Sequence, residues 1–235
     1  PSSHVTGGSI LGDKTRMQEL SRREQAFIRP TPSGLTSGGV AEHTREAMLL
    51  CEAAGHDVVL IETVGTGQGE VAVHAMVDFF LLLLSPAAGD ELQGIKRGVM
   101  ELADGVLVHK ADGDLLAAAE RVAQQCRLAL HILHGGGTAE PPVVTGSSAT
   151  GQGITELWQA IATAIAARRA DGRLAERRAA QAEAWLDAAL RGQLIAEFEA
   201  DPAIAAALHD ARRRVASGKE LPSAAARALL ALRSR

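Results

Sequence analysis

DVVLIETVGTGQGE, residues 57–70, decides the fold: an apolar run ends in a carboxylate and a threonine, and glycines follow. Read as a strand over 57–62, the run lacks alternation, as expected when both faces of a parallel sheet are covered. Such a strand delivers Glu62 to its carboxyl end, where open α/β sheets hold ligands. Gly65 and Gly67 free the following backbone to approach a phosphate closely and to move when that phosphate is lost. The arrangement is that of a nucleotide switch.

Outward from this segment, the pattern predicts strands over 26–29, 57–62, 79–84, 105–109 and 142–145. Helical stretches are expected at about 40–54, 71–76, 91–103, 115–128 and 154–167. Such alternation predicts a parallel sheet with helices on both faces, a three-layer α/β domain over 1–169. Beyond Ala170-Asp171-Gly172 only helical periodicity remains, with Leu186, Leu190, Leu194 and Phe198 at four-residue spacing, then Ile204, Leu208, Ala211 and Val215. Residues 170–235 therefore read as a helical C-terminal arm, which packs back on the domain or pairs with a second subunit.

Composition agrees with two chemically different pieces. Residues 1–167 carry 11 basic and 19 acidic side chains, whereas 168–235 carry 13 and 9, so the net −4 of the chain conceals a basic tail. That tail has only Trp185 and Phe198 as aromatics, which argues against nucleic acid as a partner. The longest apolar run, Phe79–Leu84, is far short of a membrane span. Cys51 and Cys126 sit in apolar helical patterns and read as reduced, buried thiols of a cytoplasmic compartment. His131 and His134, near Cys126, have no further clustered ligand to complete a metal site.

Several segments carry candidate chemistry. Asp13 and Glu62 offer the oxygens that hard Mg2+ prefers, or else cap the helix and turn that follow them. Lys14 and Arg16 read equally as phosphate partners and as a solvated pair. Asp90 and Glu91, ahead of a helix, suit its N-terminus, with Lys96 projecting further on. His109, Lys110, Ala111 and Asp112 close a strand: an aspartate there can accept from the N1–H and N2 amine of guanine while a lysine stem covers the base. Ser147, Ser148 and Ala149 follow the next strand.

Taken in order, GGSILGDKTRM, FIRPTPS, GGVAEHTREAMLLCEAAGHDVVLIETVG, DFFLLLL and GDELQGIKRGVMELAD resemble the MeaB/ArgK family of P-loop GTPases associated with methylmalonyl-CoA mutase. The likeness is dense to about residue 114, looser to about 169 and weak in the tail. It implies a P-loop NTPase-type sheet binding GTP/GDP and Mg2+, with Asp13 as the acidic residue of the first switch and Glu62 near the metal and the attacking water. Gly65 and Gln68 fall in the second switch, and Asp90, Glu91 and Lys96 in a third that reports nucleotide state to the mutase. Lys110 and Asp112 match the guanine-reading N-K-x-D motif, with His109 in place of its Asn. Ser147-Ser148-Ala149 matches the loop whose amides contact guanine O6.

The same resemblance implies a GTP-dependent chaperone that gates adenosylcobalamin loading or protection of methylmalonyl-CoA mutase or a related B12-dependent acyl-CoA mutase, working as a homodimer joined through C-terminal helices. The family's G-x-x-x-x-G-K-[ST] loop occurs nowhere in residues 1–235 and is expected upstream of Pro1. Gly135-Gly136-Gly137 does not replace it, since no Lys-Ser or Lys-Thr follows and Pro141-Pro142 blocks an immediate helix. Two other readings remain open: a metallochaperone GTPase, for which a His/Cys cluster is wanting, and a partner-binding module that hydrolyses nothing. An amino-acid transport role is neither supported nor opposed by these residues.

Overall fold

A computed structural model describes residues 17–29, 39–63, 69–86, 97–135 and 140–233, with the side chains of 39–43, 69–70 and 97 left out. These residues form two compact units, 1–178 and 179–235.

The first unit is built on three parallel strands, β1 (Leu81–Leu84), β2 (Gly105–Val108) and β3 (Val143–Thr145), in the order β1-β2-β3. Leu81 pairs with Gly105 and Leu84 with Val108; Val106 pairs with Val143 and Val108 with Thr145. All four residues of the central strand β2 are buried. At Gly105, where β2 starts, a Cβ would lie 2.9 Å from the Phe79 ring, so a larger residue there would displace that ring.

Helices in this unit are α1 (Gln18–Ser21), α2 (Gly39–Ala53), α3 (Gly69–His74), α4 (Arg97–Leu102), α5 (Leu116–Leu133) and α6 (Ile154–Ala170). α5 makes the crossover from β2 to β3 and turns Ala119, Ala123, Cys126 and Leu130 inward, a 4-3-4 spacing that places them on one helix face. They join Phe80, Leu84, Met100, Val106 and Val108 in one core. The Cys126 thiol is wholly buried, and burial pushes its pKa up, as for an inert packing residue.

Two expected strands are not paired. Residues 26–29 and 57–62 belong to no ladder among the described residues, although Ile61 still packs against the core. Val58 is 50% and Leu60 87% exposed. An apolar run becomes a strand only when a neighbour takes its N–H and C=O groups, and no described strand lies beside this one. The expected helices at 40–54, 71–76, 115–128 and 154–167 are present with ends shifted by a few residues, and that at 91–103 is present over Arg97–Leu102, residues 91–96 lying outside the described residues.

α6 runs the full length of the sheet against the strand direction. Its N-terminus follows Gly153, beside Thr145 at the carboxyl end of β3, and its last turn carries Arg168 to the amino ends of β1 and β2. Arg168 donates to Asp78 O (2.9 Å) and Asp104 Oδ1 (2.5 Å). Asp104 Oδ2 accepts from Phe80 N (2.8 Å), and Arg177 Nη1 lies 3.2 Å from the same oxygen. Arg178 reaches both Asp78 and Glu52 at the end of α2. The sheet's lower edge is thus held by three arginines.

α7 (Arg173–Ala200) carries the chain from the first unit into the second, which also contains α8 (Pro202–Ala216) and α9 (Pro222–Leu232). Asp201 caps α8 by accepting from Ala203 N and Ile204 N, with Pro202 at the first helical position. Ile204, Ala211 and Ala225 are the buried residues where α8 and α9 pack. The expected stripe of α7 is different: Leu186, Leu190 and Leu194 are 68, 54 and 43% exposed.

Candidate functional site: the carboxyl ends of β2 and β3

Beyond Val108 the chain makes a tight turn held by the sheet. His109 N donates to Leu84 O (2.8 Å), and Ala111 N donates to Gly146 O (3.1 Å), which buries Ala111. Between them Lys110 sits at φ +60°, a left-handed conformation that costs a non-glycine residue about 1 kcal/mol or more and holds its side chain exposed. Asp112 then opens a single 3-10 turn, Gly113–Leu115.

β3 ends in a matching way, with Gly146 N donating to Val108 O (3.0 Å). Ser147 is fully buried. Its Oγ donates to Asp112 Oδ2 and accepts from Ala149 N (3.2 Å) and Thr150 N (3.3 Å). A second bridge joins the same two loops: His109 Nε2 and Ser148 Oγ are 3.0 Å apart, either able to donate. Ser147 N donates to Gln152 O, and Gly153 closes the turn at φ +76°, where a Cβ would meet Thr145 O at 2.1 Å. Only glycine fits there.

Two consequences follow for recognition. Among the described residues only Oδ2 of Asp112 is engaged, so a half-buried, oriented carboxylate keeps acceptor capacity on Oδ1. Of the three residues 147–149, Ala149 spends its amide on Ser147 Oγ and Ser147 spends its own on Gln152 O; the Ser148 amide has no partner among the described residues. An acceptor such as a carbonyl oxygen would therefore meet Ser148 N, not Ala149 N. Gln152 and Gly153 are members that sequence reading passed over, though a Gly-x-Gly ahead of a helix was a visible sign of close approach.

Among the other expected site residues, only Glu62 is described. Glu62 is exposed in the unpaired segment after α2. Asp13, Gly65, Gln68, Asp90, Glu91 and Lys96 lie outside the described residues. No group of three His, Cys, Asp or Glu that could hold a metal ion stands together among the described residues. His131 instead pairs with Glu140 at 2.6 Å, and His134 Nδ1 is bound to Leu130 O. No described helix is long and apolar enough to cross a membrane.

A parallel sheet with oriented loops at its carboxyl edge is the plan of the P-loop GTPase class. The solved structure titled "Crystal structure of LAO/AO transport system kinase" superposes on it with a TM-score of 0.71 at 36% identity, covering 92% of this chain and 68% of that one. Residues 1–203 match the family described as methylmalonyl Co-A mutase-associated GTPase MeaB. Among relatives, a putative GTPase of Caulobacter vibrioides is 55% identical over 98% of this chain and 71% of its own length. The mitochondrial methylmalonic aciduria type A homolog of mouse is 46% identical over 100% of this chain, and GTPase ArgK of Escherichia coli 50% identical over 79%. The chain spans 57% of the mouse protein and 56% of ArgK. It belongs to the MeaB family of GTPases.

Proposed function

We propose that this chain is the guanine-reading and signalling part of a GTP-hydrolysing chaperone that gates adenosylcobalamin loading or protection of methylmalonyl-CoA mutase or a related acyl-CoA mutase. The observation that carries the base assignment is the double bridge between the β2 and β3 loops, which orients Asp112 and leaves the Ser148 amide without a partner among the described residues. Asp112 would accept from guanine N1–H and the N2 amine, O6 would accept from Ser148 N, and the Lys110 stem would cover the base. Adenine offers neither donor pair nor carbonyl.

Mg2+ supplies charge neutralisation on the phosphates when bound. Asp13 and Glu62 would hold it; carboxylate oxygens suit that hard cation, and an exposed Glu62 is free to turn toward it. Gly65 and Gln68 would form the second switch, and Asp90, Glu91 and Lys96 the third, facing the mutase. Exposed Leu186, Leu190 and Leu194 on α7 favour a second copy of the chain as the occupant of the arm's apolar stripe. Two free thiols suit a reducing compartment such as the cytoplasm. The second reading is a partner-binding module without turnover.

Hydrolysis measured with and without the mutase, on the chain as the cell makes it, separates the roles. Lys96→Ala should leave intrinsic GTP hydrolysis nearly intact and abolish the effect of the mutase. Glu62→Ala should lower intrinsic hydrolysis on the order of a hundredfold. Equal intrinsic defects would remove the third switch from the account, and GTP binding without any turnover would favour the module.

A further inference from the structure

We infer that His109 is a positioning residue for base recognition: through its ring contact with Ser148 it holds in place, for the base oxygen, the one amide of residues 147–149 that has no partner among the described residues. The inference rests on the guanine reading of the site and adds a residue to it.

Two bridges join the loops, and they do different work. Ser147 to Asp112 is buried and is reinforced by two backbone donors to the same hydroxyl, so it fixes the carboxylate. Ser148 is exposed, its amide makes no bond within the described residues, and its hydroxyl meets the His109 ring at 3.0 Å. Without that contact the 148 peptide is tethered only through its neighbours. His109 is well suited to anchor it, because its own backbone N–H is bound to Leu84 O at the end of β1 and its ring is half-buried. A rigid imidazole on a strand end thus transmits the position of the sheet to the next loop. The distal nitrogen is spent on Ser148, so His109 acts on the base through Ser148 and not by direct contact.

Equilibrium titration of the chain as the cell makes it with GDP, IDP and the diphosphate of 2,6-diaminopurine riboside tests this. IDP keeps the O6 carbonyl and N1–H and lacks the 2-amine; the diaminopurine keeps the 2-amine, carries an amine in place of the carbonyl and has no proton on N1. His109→Ala should weaken GDP and IDP alike by roughly three- to tenfold, the worth of one exposed neutral hydrogen bond. It should also narrow the margin of GDP over the diaminopurine while leaving the margin of GDP over IDP, which Asp112 sets. Ser148→Ala, which keeps the amide and deletes the hydroxyl, should reproduce the loss; the double variant should be no weaker than either single one; and His109→Gln, which can reach Ser148, should recover most of the affinity. Unchanged GDP binding in His109→Ala, or additive losses in the double variant, would overturn the role. An unmutated chain that does not distinguish GDP from the diaminopurine would overturn the guanine reading itself, and the inference with it.

Discussion

The two ends of the same three strands are built from opposite chemistry. At the amino edge, Asp104 is gripped by Arg168 and Arg177 and also accepts from Phe80 N; its side chain is 12% exposed and those of the arginines about a fifth. At the carboxyl edge, two serine hydroxyls bridge the loops, one to a carboxylate and one to an imidazole, and an aspartate oxygen and an amide have no partner among the described residues. The charged end has used its donors to tie down α6 and α7. The other end keeps a carboxylate and a peptide N–H oriented and available, which is what a binding site requires.

The comparison breaks most visibly at Asp104. Asp104→Ala strands two partly buried guanidinium groups and a backbone N–H, and should cost about 3–5 kcal/mol of unfolding free energy, read as a lowered urea midpoint. Asp104→Asn keeps an acceptor for Phe80 N and should lose less. A midpoint unmoved by Asp104→Ala would mean that the arginines do not lock this edge.

A smaller effect follows from His74, whose ring stands edge-on to Phe80 at 5.8 Å. Burial, and then the Arg177 charge, lower its pKa below the ordinary value of about 6.5, with Asp104 opposing them. The folded chain therefore resists a proton that the unfolded chain accepts. As pH falls from about 6.5, stability should fall with it, and His74→Gln should flatten that part of the profile. A slope unchanged in the variant would place its origin in other groups.

Much of this was legible in the sequence, for stated reasons. β2 and β3 were visible because short apolar runs at 105–108 and 142–145 have strand neighbours to pair with, and α5 because Ala119, Ala123, Cys126 and Leu130 share one helical face. Asp112 and Ser147 are brought to one site in the sequence only by the family resemblance, which assigns both loops to guanine. Residues 57–62 show the opposite: the run is as apolar as β1, and only pairing distinguishes them. The arginine lock left no local signature, since Arg178 meets Asp78 across 100 residues and Arg168 meets Asp104 across 64. Nor could periodicity tell which tail stripe is covered, and the structure buries Ile204 and Ala211 while leaving Leu186 and Leu190 exposed. Which amide of 147–149 is free likewise depended on where the Ser147 hydroxyl points.

The central claim is that the carboxyl edge of β2 and β3 reads guanine through Asp112, and nucleotide preference in Asp112→Asn tests it most directly. An amide in that position can donate to the C2 oxygen of xanthine, where the carboxylate accepts from the 2-amine of guanine. Competitive titration of the chain as the cell makes it should show GTP preference lost and preference moved toward xanthosine triphosphate by roughly a hundredfold or more, as reversal of a hydrogen-bonded pair requires. Retained preference for GTP in Asp112→Asn would contradict the account.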